Sequence, residues 1–570
     1  MSGNLFLPER SLDTLKDSQR AMSLRFCAIL FLALSSFVPA AAFAQSVAAP
    51  QSQAGATAND AACERFAHLQ IPATTITLAK FIPAGAFSGP PAAFSGADLS
   101  SFYKTLPAFC RVVAEAKPTT DSDIKLEVWL PASGWNGKLQ GIGNGGFAGL
   151  IDYYQIGAAM KKGYASTATD AGHTGSPVDA AWAVGHPEKV VDFGHRGIHE
   201  MTRVAKTAIQ AYYGSNPKHS YFAGCSDGGR EALMEGQRYP TDYDGILAGA
   251  PANYWSALLS NAVIDTQALT VDPASFIPQS KISALSTAVL AACDQLDGVR
   301  DGILNDPRQC HFDPASIQCK AGEDSDKCLT APQAVALKKI YDGLHDSTGH
   351  AIFPGFLPGA EDGPGGWGLW ITGPAPASSL MAFFGLNFYT YMVYEETDWD
   401  YKTFTLASGM KAAEDKTAAA LNATDPDLKP FRSAGGKLIV YHGWEDPAIP
   451  PVNTVNYYQS VIATLGKPAA DSFVRLYMAP GVQHCGGGPG PDSFGQVGDW
   501  NSPDDPQHNA RVALEQWAEK GTAPSTIIAT KRSDDPQKPK MTRPLCPYPE
   551  SAKYKGTRDT NEAASFVCAK

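Results

Sequence analysis

Two dipeptides far apart in the chain, Cys225-Ser226 and His484-Cys485, constrain it more than any other feature. Gly224-Cys225-Ser226-Asp227-Gly228 has the form of a tight turn from strand into helix, in which small neighbours let the backbone lift a hydroxyl clear. A hydrogen bond from that hydroxyl to the His484 ring would hold the two side chains roughly 3 Å apart. Their cysteine neighbours would then sit near the Cα separation of about 5.5–6 Å that a disulfide requires. The glycine–serine pattern alone is weak in a chain with 53 glycines, so its setting matters. His219-Ser220-Tyr221-Phe222-Ala223 reads as a short apolar strand entering the turn, and Arg230–Glu235 reads as a helix leaving it.

The chain has 570 residues, enough for a large core plus an inserted domain. Its net charge of −11 and the lack of a lysine/arginine block argue against nucleic acid as a partner. Arg20 and Arg25 precede an apolar run from Phe26 to Val38, and Ala42-Phe43-Ala44 offers a small-x-small cleavage site. The run is broken by Ser35 and Ser36 and ended by Pro39, so a cleaved export signal over 1–44 is expected rather than a membrane anchor. Nothing else is long and apolar enough to span a bilayer, and the export signal implies a secreted or periplasmic protein. Loss of Cys27 with the signal leaves ten of the eleven cysteines, an even number that suits five disulfides in an exported protein. Sequence does not fix their connectivity. Proximity gives Cys63–Cys110, Cys293–Cys310, Cys319–Cys328 and Cys546–Cys568, and the remainder is Cys225–Cys485.

Residues 45–60 form an Ala/Gln/Ser linker. From Ile124 strands and helices alternate: strands at Lys125–Leu130, Lys138–Ile142 and Tyr164–Thr169, a helix at His199–Tyr212, the strand–turn–helix around Ser226, and a strand at Tyr243–Leu247. A second series follows: a strand at Lys437–Tyr441, a helix from Asn453, a strand at Phe473–Tyr477, a helix at Ala510–Lys520 and a strand at Thr526–Ala529. Such alternation predicts an α/β fold with a mostly parallel sheet covered on both faces. The core would comprise residues 61–252 and 433–570. Residues 253–432, rich in glycine, proline and aromatics and holding four cysteines, read as a lid domain inserted between them.

If Ser226 is a nucleophile, an acid and a histidine should follow it in that order, each in a loop beyond a strand. Strand Leu438–Tyr441 runs into His442-Gly443-Trp444-Glu445-Asp446-Pro447, which makes Asp446 the candidate acid and Glu445 its rival. The next strand runs into Ala479–Cys485 and delivers His484 as the base. His508 opens an amphipathic helix and reads as a cap, while His442 and His173 read as structural. An anionic intermediate would need two backbone donors. The amide of Asp227 is one, and Gly146 in Gly143-Asn144-Gly145-Gly146-Phe147 is the preferred second, with Gly145 as alternative. Further on, Asp294, Asp297 and Asp301 fall within eight residues punctuated by Gly298 and Gly302. Together with the carbonyls of Val299 and Ile303 they would suit a calcium ion, although a solvated Asp-Gly turn fits the bare pattern equally well.

With these residues in hand, the chain resembles the tannase/feruloyl esterase family of exported α/β-hydrolases over nearly everything past the linker. The resemblance rests on Trp135-Asn136-Gly137-Lys138 and the following Gly-Asn-Gly-Gly, on Gly-Cys-Ser-Asp-Gly-Gly-Arg-Glu-Ala, on the Asp-Gly loop, on His-Gly-Trp-Glu-Asp-Pro and on His484-Cys485. It implies a Ser226–His484–Asp446 triad, a Cys225–Cys485 bridge and structural Ca2+ held by Asp294, Asp297, Val299, Asp301 and Ile303. It also implies hydrolysis of small esters of aromatic acids such as ferulate or gallate. A terephthalate-monoester hydrolase of the MHETase type is the alternative; it calls for a lid arginine to bind the free carboxylate, and the lid has only Arg300 and Arg308, beside the acidic loop, before Arg432. A catalytically silent binding protein on the same fold is the third reading. The aromatics Trp367, Trp370, Phe383, Phe384, Phe388, Tyr389, Tyr391, Tyr394 and Trp399 are candidates to sandwich a ring, though most would form the lid's own core.

Overall fold

Alternating side chains build the central sheet from both sides. In Ile124–Pro131, Leu126 and Val128 pack into one apolar cluster and Trp129 into another; in Lys437–Gly443, Leu438 and Val440 face the first cluster while Ile439 and Tyr441 face the second. This period of two is the signature of a strand buried on both faces. A computed structural model describes residues 60–535 and 538–570, which all belong to one unit of the chain. The expected signal segment, its cleavage site and the linker up to residue 59 lie outside the described residues. No described helix is long and apolar enough to cross a membrane.

Among the described residues the sheet has nine strands: β1 (Thr74–Ile82), β2 (Phe109–Ala116), β3 (Ile124–Pro131), β4 (Lys138–Ile142), β5 (Ala165–Thr169), β6 (His219–Cys225), β7 (Gly245–Gly249), β10 (Lys437–Gly443) and β11 (Val474–Ala479). Between β7 and β10 lies a two-stranded ribbon, β8 (Leu344–His345) and β9 (Ala351–Phe353); two more ribbons, β12–β13 (Ile527–Lys531, Met541–Leu545) and β14–β15 (Ser551–Tyr554, Phe566–Ala569), follow β11. The spatial order is β1-β2-β3-β5-β4-β6-β7-β10-β11. From β5 to β11 every neighbouring pair is parallel, whereas β1, β2, β3 and β5 pair antiparallel. Strands β5 and β6 flank β4, so the connections from β4 and from β5 run to opposite sides, and the crevice beyond the carboxyl ends near β4 is the natural ligand position.

One face is covered by the helix Gly197–Tyr213, whose Met201, Val204, Ala205, Ala208 and Ile209 recur at helical spacing, and by Asp227–Arg238 and Pro451–Leu465. The helices Tyr153–Lys161 and Ala510–Lys520 cover the other. Residues between β7 and β10 add no strand to this sheet. Their helices, among them Trp255–Thr270, Gln279–Cys293, Ala331–Asp342 and Leu380–Asn387, share a third apolar cluster with Phe147 and Phe193 of the core.

Two expectations need correction, and one pairing lies outside them. Strand β1 pairs antiparallel with β2 at the sheet edge, where only Ile82 of β1 is buried and its sequence pattern is weak. The strand expected at Tyr243–Leu247 starts at Gly245; a Cβ at Gly245 or Gly249 would strike the Tyr221 or Tyr441 ring, so glycine is what lets the neighbouring strands' aromatics lie across it. The strand expected at Thr526–Ala529 is β12, which leaves the parallel sheet and pairs antiparallel with β13, a partner that lies beyond it in sequence.

Candidate active site

Ser226 stands between β6 and the helix Asp227–Arg238 with φ 67° and ψ −123°, a strained left-handed position for a residue with a side chain. Its amide donates to the Gly249 carbonyl (3.0 Å), and its carbonyl accepts from Arg230 (3.1 Å) and Ala252 (3.1 Å), so the end of β7 and the helix hold the strain. The turn closes only because its flanks are bare. A Cβ on Gly224 would lie 2.3 Å from the Gly228 carbonyl oxygen, and one on Gly228 would lie 2.7 Å from that of Asn144.

Asp446 and His484 project from the loops after β10 and β11. Those loops are tied together by Trp444 donating to Ala479 (2.9 Å) and Glu445 donating to Val482 (3.1 Å). His484 Nδ1 donates to Asp446 Oδ2 (2.8 Å), while Asp446 Oδ1 accepts the amides of Ala448 (2.8 Å) and Ile449 (3.0 Å). Burial alone would raise the Asp446 carboxyl, but the charge of His484 and hydrogen bonds from His442 and His484 outweigh it and hold the acid well below its ordinary range. Cys225 and Cys485 form a disulfide with a Cα separation of 6.0 Å, and Cys63–Cys110, Cys293–Cys310, Cys319–Cys328 and Cys546–Cys568 are the other four bridges. Ser226 and His484 line one cavity of about 440 Å³. Among the described residues no hydrogen bond joins the Ser226 hydroxyl to the His484 imidazole, in contrast to the one expected from sequence; without a bound substrate a hydrogen bond of this kind is often long or poorly aligned.

The remaining candidates separate clearly. Glu445 is fully buried and turned toward Glu361, Asp301 and Asp294, away from His484. His508 pairs with its neighbour Asp505 (2.9 Å) outside the cavity wall. Gly145, Gly146 and Asp227 all line the cavity. Among the described residues the amides of Gly145 and Gly146 have no acceptor, and Asp227, as first residue of its helix, has no intrahelical one. Gly146 has φ 58°, and a Cβ there would meet the Pro177 carbonyl oxygen at 2.3 Å. Three free amides beside a serine hydroxyl can receive a negatively charged oxygen.

Sequence reasoning missed what holds that amide loop. The Glu231 carboxylate accepts both the backbone amide (2.8 Å) and the side-chain amide (3.0 Å) of Asn144, and the Asn144 carbonyl accepts from Gly228 (3.1 Å). The loop after β4 is thereby bolted to the helix after β6. Asp227 and Glu231 are both buried, which pushes both carboxyls up, while the fully buried Arg230 beside them offsets part of that effect. The signal was present in sequence as acids one helical turn apart, Asp227, Glu231 and Glu235. Trp255, Trp370 and Phe384 give the cavity an apolar wall, and the Trp370 ring meets the His484 ring edge-on at 4.9 Å. Phe94, from the connection between β1 and β2, also lines it although the residue is 60% exposed. Of the aromatics singled out in sequence, Trp367, Phe388 and Tyr389 are core residues.

The acidic loop lies elsewhere. Asp294 accepts from the Gly302 amide (3.0 Å), Asp297 from Val299 (3.0 Å) and Asp301 from Ile303 (3.2 Å), and Asp301 also pairs with Arg543 (2.7 Å). Burial, and then repulsion from Asp301 among other groups, raises the Asp294 and Asp297 carboxyls. Among the described residues the Val299 and Ile303 carbonyls accept no hydrogen bond although both residues are buried. An all-oxygen set with mutually repelling acids and unsatisfied carbonyls fits a hard cation. No three acidic, histidine or cysteine side chains in the described residues converge closely enough to hold a metal alone, so the two carbonyls would be needed.

Comparison with known proteins gives the fold and the lineage. The chain is 40% identical over 535 residues to an uncharacterized esterase of Xanthomonas campestris pv. campestris, covering 89% of this chain and 91% of that one. It is 31% identical over 516 residues to a probable feruloyl esterase B-2 of Aspergillus terreus, covering 89% and 95%. The crystal structure of feruloyl esterase B from Aspergillus oryzae superposes with a TM-score of 0.80 at 28% identity, over 90% of this chain and 100% of that one. Tannin acyl hydrolase from Aspergillus niger shares the fold, with a TM-score of 0.68 at 24% identity over 88% and 92%. These neighbours place the layered sheet among the α/β-hydrolases. The family model for tannase and feruloyl esterase matches residues 110–569, and with that span and these relatives the chain belongs to the tannase and feruloyl esterase family of carboxylic ester hydrolases.

Proposed function

We propose that this protein is an exported serine esterase that cleaves small esters of aromatic acids, of feruloyl or galloyl type, through an acyl-enzyme. The observation that carries the reading is the Asp446–His484 pair held beside the Ser226 turn by Cys225–Cys485, with Ser226 and His484 on the wall of an aromatic-lined cavity. In this reading His484 Nε2 takes the Ser226 proton as the oxygen attacks the ester carbonyl, and returns it to the departing alcohol. Water, activated by the same imidazole, then releases the acid. Asp446 fixes the Nδ1–H tautomer and stabilises the imidazolium. The amides of Gly146 and Asp227 receive the anionic oxygen, with Gly145 as the alternative donor. Trp255, Trp370, Phe384 and Phe94 supply faces and edges for an aromatic ring. Calcium would be held by Asp294, Asp297 and Asp301 with the Val299 and Ile303 carbonyls, where its role is to neutralise and order the loop. Five disulfides and the expected signal support a secreted or periplasmic location.

A terephthalate-monoester reading is less favoured. Among the described residues the cavity wall contains no lysine or arginine, so a free carboxylate on the acyl ring would meet no cation there. A silent binding protein has less support still, since a donor set, an acid–imidazole pair and a raised serine all meet at one cavity. The test is fluorophosphonate labelling of the folded protein, with turnover of methyl ferulate, methyl gallate and the terephthalate monoester. Labelling at Ser226, loss of turnover in a folded Ser226→Ala variant and preference for the phenolic esters are expected. No adduct would favour the binding protein, and preference for the terephthalate monoester would overturn the substrate class.

A further inference from the structure

His442 read in sequence as a structural histidine, and it is fully buried as that reading requires. Its position is nevertheless unusual. Its Nε2 lies 3.1 Å from Asp446 Oδ2, the same oxygen that accepts the His484 Nδ1–H at 2.8 Å, and also 3.1 Å from the Ile449 carbonyl oxygen. A carboxylate and a carbonyl can only accept, so Nε2 must carry the proton. Nδ1 is then the acceptor, and the Thr454 hydroxyl donates to it (2.7 Å) from the helix Pro451–Leu465. The donor is thus fixed in tautomer and direction by two different elements. With the Ala448 and Ile449 amides on Oδ1, Asp446 receives donors on both oxygens, and one of those oxygens serves two imidazoles.

We propose that His442 is a positioning residue that sets the basicity of His484 through their shared oxygen on Asp446. A second N–H donor on Oδ2 draws charge from that oxygen and weakens its hold on the protonated form of the general base, His484. The proposal rests on the reading of Asp446 and His484 as the working pair. The other ionisable groups nearby are Glu445, which turns toward Glu361, Tyr441 beside Asp446, Asp227, which pairs with Arg230, and Asp152, which caps the helix Tyr153–Lys161.

The test is the pH profile of kcat/KM for 4-nitrophenyl acetate in His442→Leu, His442→Gln and Thr454→Val, with folding checked by circular dichroism. Loss of the donor in His442→Leu should move the ascending limb up by about one pH unit. His442→Gln, which restores an N–H, should move it back toward the parent. Thr454→Val, which removes only the group that orients the ring, should move it part of the way in the same direction. If His442→Leu does not fold, Thr454→Val decides. Limbs unmoved or shifted down in the folded variants would overturn the proposal and leave His442 structural. If the parent protein neither hydrolyses the ester nor labels with fluorophosphonate, the fault lies in the assignment of the pair itself.

Discussion

Removing the bridge beside the candidate site is the sharpest test of how the two halves of the chain are held. Cys225 and Cys485 are 260 residues apart, and closing a loop of that length is worth about 5.5 kcal/mol in the chain-entropy model. The bridges Cys293–Cys310 and Cys319–Cys328 lie inside the loop and short-circuit separations of 17 and 9, which the logarithm converts to only about 0.1 kcal/mol. Over roughly 500 folded residues at about 2.1 cal/mol/K each, a loss of this size lowers Tm by about 5 °C. The double variant Cys225→Ala/Cys485→Ala leaves no stray thiol and is the right perturbation. Ser226 and His484 neighbour the two sulfurs, so a small relaxation of one loop displaces the imidazole from the hydroxyl; a loss of roughly 10- to 100-fold in kcat is expected well below the new Tm. Calorimetry and ester turnover on the same samples read the two effects separately. A Tm within 1 °C of the parent together with unchanged kcat would show that the backbone contacts of these loops suffice and would refute the reasoning.

Two other outcomes follow from charge. His195 bonds to Tyr239 (2.7 Å); burial, and then the nearby Arg238, Arg230 and Arg196, push its imidazole down to about 3. The unfolded chain takes up this proton near 6.5 and the folded one does not, so stability is lost as pH falls from about 6.5 toward 3. His195→Gln should flatten that decline in a series of melting curves, and an unchanged slope would remove His195 as its source. For the acidic loop, a chelator should lower Tm by about 2–3 °C, as expected for a ligand held at about a hundred times its Kd, and Ca2+ should restore it. Asp297→Asn should be insensitive to both treatments; a parent protein indifferent to chelator and calcium would leave the loop a plain Asp-Gly turn.

Much of this protein is written locally. The elbow at Ser226, the alternation of β3 and β10, the helix at Ala510–Lys520 and the positions of Asp446 and His484 just past strand ends all depend on short-range patterns, which dihedral preference and side-chain period express directly. What depended on partners distant in sequence was not legible. The pairing of β12 away from the parallel sheet, the clamp of Glu231 on Asn144, the arrival of Phe94 at the cavity and the sharing of Asp446 Oδ2 by two histidines arise where separate segments meet. The sequence by itself determined which groups are available and that a cysteine pair would report on their meeting. Only the tertiary structure decided which acid faces His484 and which turns to the acidic loop. Glu445 and Asp446 are adjacent in the chain, and it is the direction in which packing turns each side chain, not its chemistry, that separates them.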